Sequence, residues 1–537
     1  MENPLYVITY DVGTTGVKTC LFQLSSTLIL VASSLCGYGL YLTGEGGVEQ
    51  DPQEWWDAMC TTTRHILTET TIDPSLIKGI SFCSQMQGLV LVDKEGKPVR
   101  RAMSYMDQRS VDELRKGMAH GIQIAGANVG KLLKSIAITG AVALSVKDPV
   151  WKYHWVKNNE PELFKKIYKW LDVKEYLICR MTGSFIMTED SAFATLLYDI
   201  RSKQKRWSKS ICNMLQVDMA HLPTIVQSTD NVGGVATQAA QELGLAAGTA
   251  VFGGGGDAAV TGLGAGAVLP GDSYIYMGTS GWLSTVVEKS IVDSSSMTAA
   301  IVSFQPGHFN YFSELETAGK CLEWVKDHLA LDEINIYLKK TSVIESDESV
   351  CTNLYEYLSS TIKDMPAGSN GVIFTPWLHG NRCPFEDPNA RGIFFNIGLD
   401  TGKTDMIRAV TEGVCFHMRW FLETQEKRVK TSNTIRFVGG GALSPVTCQI
   451  LSDCLGRTIE TIDNPQNVGA ISAALLVGMG LGKLSTVQMA SRMVPVTGTY
   501  YPNSDNKAIY DRNFHVFKQL YKANKKNFAL MNQGRII

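Results

Sequence analysis

Val251-Phe252-Gly253-Gly254-Gly255-Gly256-Asp257-Ala258-Ala259, near the middle of a chain of 537 residues, decides how the rest is read. Residues 250–252 form the apolar end of a strand. The glycines that follow turn the backbone tightly and let it approach a ligand with no Cβ in the way. Asp257 stands where a helix over residues 258–264 should begin, a good N-cap in the positive end of the helix dipole. Such a turn receives phosphate well. Taken alone it is equally a plain β–α turn with a capping Asp. Loops elsewhere in the chain decide between the two.

Residues 6–10 alternate as a strand, Asp11-Val12-Gly13-Thr14-Thr15-Gly16 interrupts them, and residues 17–24 resume as a second strand. The hairpin tip brings backbone N–H groups, hydroxyls and a carboxylate to one point, which is equipment for phosphates and a hydrated Mg²⁺. The second half repeats the device with a strand over 272–277, the tip Gly278-Thr279-Ser280-Gly281, and a returning strand over 282–287. It also has its own late turn, Gly439-Gly440-Gly441-Ala442, between a strand over 435–438 and a helix over 445–455. A hairpin early and a glycine turn late in each half read as an internal repeat. Two similar α/β lobes facing each other across a nucleotide follow, with the boundary near residues 262–270.

Between these motifs the chain alternates helices and strands. Asp51-Pro52-Gln53-Glu54 opens a helix to about residue 68, with Trp55 and Met59 on its buried side. A strand over 77–83 leads into Ser84-Gln85-Met86-Gln87-Gly88. A hairpin over 90–103 follows, and the polar cluster Met106-Asp107-Gln108-Arg109-Ser110 precedes a helix from about Val111. Helices are expected over 149–158, 161–170, 173–182, 209–215 and from Lys403 to about Lys430. Residues 341–349 read as a surface loop, and 368–397 as a loop-rich stretch.

Composition excludes several functions. With 50 basic and 52 acidic residues the net charge is −2, so there is no basic field for nucleic acid. Phosphate binding must come from local geometry, which suits a small nucleotide. The 12 cysteines include no C-x-x-C pair, which excludes a zinc ribbon and a thioredoxin-like motif and reads as reduced core cysteines. No run of 18 apolar residues offers a membrane span. The opening strand has no signal-peptide pattern, so a cytoplasmic protein is expected. Gly398 and Gly402-Lys403-Thr404 lack P-loop spacing. Gly254-Gly255-Gly256-Asp257-Ala258-Ala259 satisfies a dinucleotide fingerprint but leaves both Gly-Thr-x-Gly hairpins unexplained. No G-x-S-x-G elbow occurs.

Together, the two hairpin tips, the Asp257 turn and Gly439-Gly440-Gly441-Ala442-Leu443-Ser444-Pro445 resemble the FGGY carbohydrate kinases, in order and spacing, over nearly the whole chain. Lys152 with Trp155-Val156 and Asn158-Asn159-Glu160-Pro161 resembles that family's first signature. Asp405 to Glu412-Gly413-Val414 resembles the later one, with a slight departure at 394–399. The resemblance implies an α/β chain of two ribonuclease-H-like, actin-like ATPase lobes with an ATP/sugar cleft between them. Residues 1–262 would be the sugar-binding lobe and 263–537 the ATP-binding lobe. The reaction implied is ATP-dependent phosphorylation of a terminal sugar hydroxyl. Ser84 to Val90 with Asp107 to Ser110 are most similar to the xylulokinase branch, which points to a ketopentose such as xylulose. Ribulose, gluconate and glycerol stand as alternatives. Gln87 and Ala258 depart from that branch, which usually has His at the first position and Gln or Asn at the second.

Carried over residue by residue, Met86, Gln87, Asp107 and Asp257 contact the sugar, and Asp257 is the catalytic base. Asp11 holds Mg²⁺ through water. Thr14, Thr15, Lys18, Gly278 and Thr279 meet phosphate oxygens, while Gly319, Gly440, Gly441 and Ala442 line the adenosine side. The partners implied are a small sugar and ATP, with no nucleic acid and no membrane, and a homodimer is allowed for. A rival reading keeps the fold as an actin-like ATPase switch without sugar chemistry. Against it stand the polar segment 85–110 and an Asp placed to serve an alcohol.

Overall fold

Leu5–Val12 (β1) is buried on both faces over Val7–Tyr10, and it becomes a central strand of the first sheet. The computed structural model describes residues 5–119, 122–124, 127–201, 206–293, 295–329, 356–357 and 359–532. Gly16–Leu24 (β2) and Leu28–Gly37 (β3) continue from β1 as an antiparallel meander. Pro52–Thr70 (α1) then crosses back, capped by Asp51, whose carboxylate accepts from the Gln53 N–H, with Trp55, Trp56, Met59 and Ile66 buried. Ile77–Ser84 (β4) pairs parallel with β1. Asn231–Gly234 (β5) and Ala250–Phe252 (β6) extend the sheet to the order β5-β6-β4-β1-β2-β3, with Gly255–Gly256 also paired to β4. Asp257–Ala265 (α2) follows directly.

Ser273–Met277 (β7) and Gly281–Val287 (β8) open the second sheet as an antiparallel pair. Val292–Asp293 (β9), Thr298–Val302 (β10) and Phe309–Leu315 (β11) extend it on one side. After Gly319–His328 (α3) and the long Lys403–Gln425 (α4), Thr434–Val438 (β12) pairs parallel with β7. Pro445–Leu455 (α5), Thr458–Ile462 (β13), Val468–Gly480 (α6), Val496–Tyr500 (β14) and Lys507–Asn532 (α7) complete the chain. The sheet order is β9-β10-β11-β8-β7-β12-β13-β14. Among the described residues the chain divides into two compact units. One is Met1–Gly264 with Ile301–Phe309 and Gly469–Met493, and the other is Ala265–Ala300 with Asn310–Val468 and Val494–Ile537. No described helix is long and apolar enough to cross a membrane.

The repeat is real in the strands. In each sheet a first strand pairs antiparallel with its successor and parallel with the strand after the crossover, β1 with β2 and β4, β7 with β8 and β12. The two glycine turns, however, are not equivalent. Gly439–Gly441 leaves β12, which neighbours the first strand β7, whereas Gly253–Gly256 leaves β6, one strand further out. The first unit's counterpart of the Gly439 turn is the segment after β4, residues 84–88. The insertion between β4 and β6 hides this in the linear sequence.

Other expectations change under packing. The helix over 161–170 is only Pro161–Phe164; Lys169–Leu171 instead pairs as a strand with Val90–Val92, which buries Trp170 completely. The helix from Lys403 ends at Gln425, short of Lys430. The loop expected over 341–349 lies outside the described residues.

Candidate active site

The first hairpin tip is held by its own backbone. Gly13 N–H donates to Gly16 O at 2.9 Å, and Tyr38 N–H donates to Thr15 O at 3.0 Å. Gln50 Nε2 donates to Thr14 O at 2.7 Å and its carbonyl accepts from Gln85 Nε2 at 3.1 Å. Gln85 N–H donates to Val12 O at 2.9 Å. Gln50 therefore ties the tip to the 84–88 segment. Thr15 is exposed, and Thr14 Oγ1 lies 3.3 Å from the Tyr105 hydroxyl.

Asp11 sits on β1, opposite Lys18 on β2 and Cys83 on β4. Burial pushes its carboxyl above the ordinary value, and Lys18 and the Cys83 thiol oppose that rise. Gly469, at the start of α6, faces it; a Cβ there would come 2.6 Å from Asp11 Oδ2. Only glycine leaves the carboxylate uncovered. Among the described residues no cluster of three or more His, Cys, Asp or Glu could hold a metal by itself. A single carboxylate beside a hydroxyl-bearing tip fits Mg²⁺, which keeps its waters and takes phosphate oxygens as its other ligands.

Asp257 is placed from two directions. Gly254 has φ +66°, and a Cβ there would lie 2.4 Å from Phe82 O, so the turn demands glycine. Gly256 N–H donates to Asp190 Oδ2 at 2.6 Å. A Cβ on Gly256 would sit 2.2 Å from Met86 Sδ, so Met86 packs directly beside the residue before Asp257. Asp257 itself is the first residue of α2 and its Oδ1 accepts from the Ala258 N–H at 2.7 Å. Burial raises the Cys83 thiol most, and the charges of Asp11 and Asp257 both add to that rise.

The remaining expected sugar contacts differ in kind. Gln87 is half-buried, at φ 64°, and its backbone N–H and carbonyl are taken by Asp172 and Lys152. Asp107 has no exposed surface: Oδ2 accepts from Val48 N–H at 2.8 Å and from Arg109 Nη2 at 2.8 Å. Arg109 also reaches Glu49 at 2.8 Å and lies over the Trp155 ring at 4.5 Å. Lys152 is wholly buried; desolvation lowers its ammonium to about 8. Burial and the neighbouring Glu175 raise Asp172 to about 7.

In the second unit the residues expected on the nucleotide side gather at the ends of β7 and β12 and at the start of α3. Gly319 N–H donates to Gly278 O at 2.8 Å and Lys320 N–H to Thr279 O at 3.1 Å, which joins the tip to the start of α3. Those two N–H groups are used within the protein, while Thr279 is exposed. Gly439 has φ +88°, and a Cβ there would meet Met277 O at 2.6 Å; one on Gly441 would meet Met277 Sδ at 2.7 Å. Ser444 then caps α5, accepting from Thr447 N–H at 3.1 Å, and Pro445 takes the first turn. Ala442 is buried and Gly440 half-buried. The later signature on α4 is structural here: Arg408 Nε donates to buried Glu412 at 2.8 Å, and Tyr510 donates to the same carboxylate at 3.0 Å.

Sequence reasoning missed Gln50, Asp172 and Asp190. Gln50 precedes the capping Asp51, and Asp172 and Asp190 stand at helix starts, so each carried only the signal of a cap or a turn.

The chain matches known proteins over nearly its whole length. Residues 6–264 match the N-terminal domain, and residues 273–481 the C-terminal domain, of the FGGY family of carbohydrate kinases. The xylulose kinase of Bacillus subtilis (strain 168) is 28% identical over 522 residues, 97% of each chain. The gluconokinase of the same organism is 26% identical over 518 residues, 96% of this chain and 95% of that one. A solved structure of ligand-bound xylulose kinase from Lactobacillus acidophilus superposes with a TM-score of 0.82 at 25% identity, covering 98% of this chain and 99% of that one.

Proposed function

Since the chain belongs to the FGGY family of carbohydrate kinases, and so is a sugar kinase of two actin-like lobes, we propose that it phosphorylates a terminal hydroxyl of a small ketopentose such as xylulose. Members of this family use ATP. The observation that carries the acceptor side is the contact of Met86 with Gly256, which puts the expected sugar segment beside Asp257.

In this reading Met86 and Gln87 receive the sugar, and Asp107 acts from beneath by holding Arg109 and the Val48 N–H. Asp257 accepts the proton of the attacking hydroxyl as its oxygen bonds to the γ-phosphorus and the bond to the β–γ bridging oxygen breaks. A base so placed contributes roughly 10²- to 10⁴-fold. Phosphoryl transfer otherwise needs positioning and charge neutralisation. Thr14, Thr15, Lys18, Gly278 and Thr279 are proposed to hold phosphate oxygens. Gly319, Gly440, Gly441 and Ala442 are proposed to line the adenosine, with residues 1–262 serving the sugar and 263–537 the nucleotide. Mg²⁺, held at Asp11 through water, would neutralise phosphate charge.

Gluconate is a second reading, supported by the gluconokinase relative at nearly the same identity. The test is coupled ADP release with MgATP and a panel of D-xylulose, D-ribulose, gluconate and glycerol. A kcat/KM for xylulose at least tenfold above the others supports the proposal, and preference for gluconate replaces it with the second reading. ATP hydrolysis indifferent to every acceptor removes the acceptor-side assignment.

A further inference from the structure

Gln87 is the residue on the acceptor side whose backbone is gripped at both ends by opposite charges. Its N–H donates to Asp172 Oδ2 at 2.9 Å, and its carbonyl accepts from Lys152 Nζ at 2.9 Å. Asp172 Oδ1 also accepts from the N–H groups of Gly88 at 2.9 Å and Val173 at 2.8 Å. Lys152 Nζ donates in addition to Ser104 O at 2.7 Å, and Ser104 O also accepts from the Asp107 N–H at 3.1 Å. One ammonium thus ties residue 87 to the loop that carries Asp107 and Arg109.

The grip coincides with a conformation the chain does not adopt freely. Gln87 has φ 64°, the left-handed region that a non-glycine residue holds only when its surroundings impose it. Gly88 makes room for the clasp, since a Cβ there would meet Asp172 Oδ1 at 2.7 Å. Asp172 is 4% exposed and Lys152 0%, so neither has the surface to touch a sugar. Gln87, by contrast, is half-buried, so its side chain has surface to meet a ligand. A half-buried amide on a backbone fixed by buried charges is a recognition group with its direction set from below.

We propose that Lys152 and Asp172 are positioning residues that lock Gln87 in its left-handed conformation and thereby determine which hydroxyl pattern of the acceptor sugar is selected. The proposal rests on the acceptor-side reading above. It adds that specificity resides in a clasp as well as in the contacting side chain. A site that hydrogen-bonds a substrate hydroxyl discriminates strongly only while its own group is held in place.

The experiment pairs amide hydrogen exchange with acceptor kinetics for wild type, D172N, K152Q, Q87G and D172N/Q87G. In D172N, one oxygen of the clasp becomes an NH₂ group facing backbone donors. Exchange in the peptide spanning residues 84–92 should speed by about tenfold or more, while peptides from β1 and β2 stay unchanged. KM for D-xylulose, and for the best other acceptor of the panel, should rise by about tenfold. The kcat and the KM for ATP should stay within about twofold, and the kcat/KM ratio between those two acceptors should move at least threefold. K152Q, which leaves Gln87 O short of its charged donor, should give the same pattern and serves if D172N does not fold. Glycine adopts the left-handed region unaided, so D172N should alter the acceptor ratio less in the Q87G background than alone. Unchanged exchange at 84–92, an unchanged acceptor ratio, or equal rises in the KM of ATP and sugar would overturn the proposal. If wild type phosphorylates no sugar, the acceptor reading fails, whereas the exchange arm still reports whether the clasp exists.

Discussion

Asp190 Oδ2 accepts a 2.6 Å hydrogen bond from the Gly256 N–H, so a buried carboxylate holds the peptide that precedes Asp257. Asp190 is 1% exposed, and among the described residues its Oδ1 has no hydrogen-bond partner. The bond joins a helix start at residue 190 to the turn that begins α2. It makes the direction of Asp257 a tertiary property.

Asp190→Ala should therefore affect both stability and rate. The Gly256 N–H would be buried without an acceptor, at a cost of about 1–3 kcal/mol. The kcat should fall about tenfold or more as Asp257 loses its alignment, with KM for ATP unchanged. Urea unfolding and steady-state kinetics check the two halves; full activity would show that the turn keeps its shape without Asp190.

Asp257→Asn keeps the size of the side chain and its hydrogen bond from the Ala258 N–H. What disappears is the proton acceptor, so kcat should fall by about 10² or more while nucleotide binding persists. Rapid-quench measurement of the phosphoryl-transfer step is the direct test. Near-normal turnover would remove Asp257 from the chemistry.

Asp11→Ala opens further a space already left clear by Gly469. The Mg²⁺ concentration needed for half-maximal rate should rise about tenfold, and KM for the sugar should change little. A magnesium titration at saturating ATP and sugar decides it. An unchanged titration would assign the metal to the nucleotide alone.

Gln87→His replaces an amide with two donors and a carbonyl by a ring with one donor and one acceptor. Relative kcat/KM should shift toward D-xylulose by roughly 1–2 kcal/mol, the scale of one hydrogen bond. The ratio of kcat/KM for xylulose to that for the best other acceptor, in wild type and variant, gives the answer. An unchanged ratio would exclude the residue 87 side chain as the selector.

The clasp should also be visible in the pH dependence of stability. Asp172 is raised from 3.8 to about 7, so the folded protein binds this proton more tightly than the unfolded chain. Its stabilising contribution is present at low pH and is lost as pH rises through about 7. Lys152 is lowered from 10.5 to about 8, so its contribution is present above 10.5 and lost as pH falls through about 8. Relative to D172N, wild type should lose stability between about pH 4 and 7. Relative to K152Q, it should gain stability as pH rises from about 8 to 10. Parallel urea-unfolding curves for wild type and both variants would contradict these shifts.

What lies within a few consecutive residues was legible before any tertiary contact was known. The Gly-Thr tips, the Asp257 turn, the Asp51 cap and the alternation of β1 are local because hydrogen bonding, φ freedom and side-chain alternation act over a few residues. Their order was enough to show two related sheets. Tertiary structure alone decided which distant residues support them. Asp190 reaches Gly256 across 66 positions, Asp172 reaches Gln87 across 85, and Gly469 uncovers Asp11 from the far end of the chain. It also turned residues 169–171 from a helix into a strand, because pairing with Val90–Val92 buries Trp170. The non-equivalence of the two glycine turns has the same origin. Strand neighbours are chosen by packing across a long insertion, and nothing in the local pattern of either turn records which strand will lie beside it.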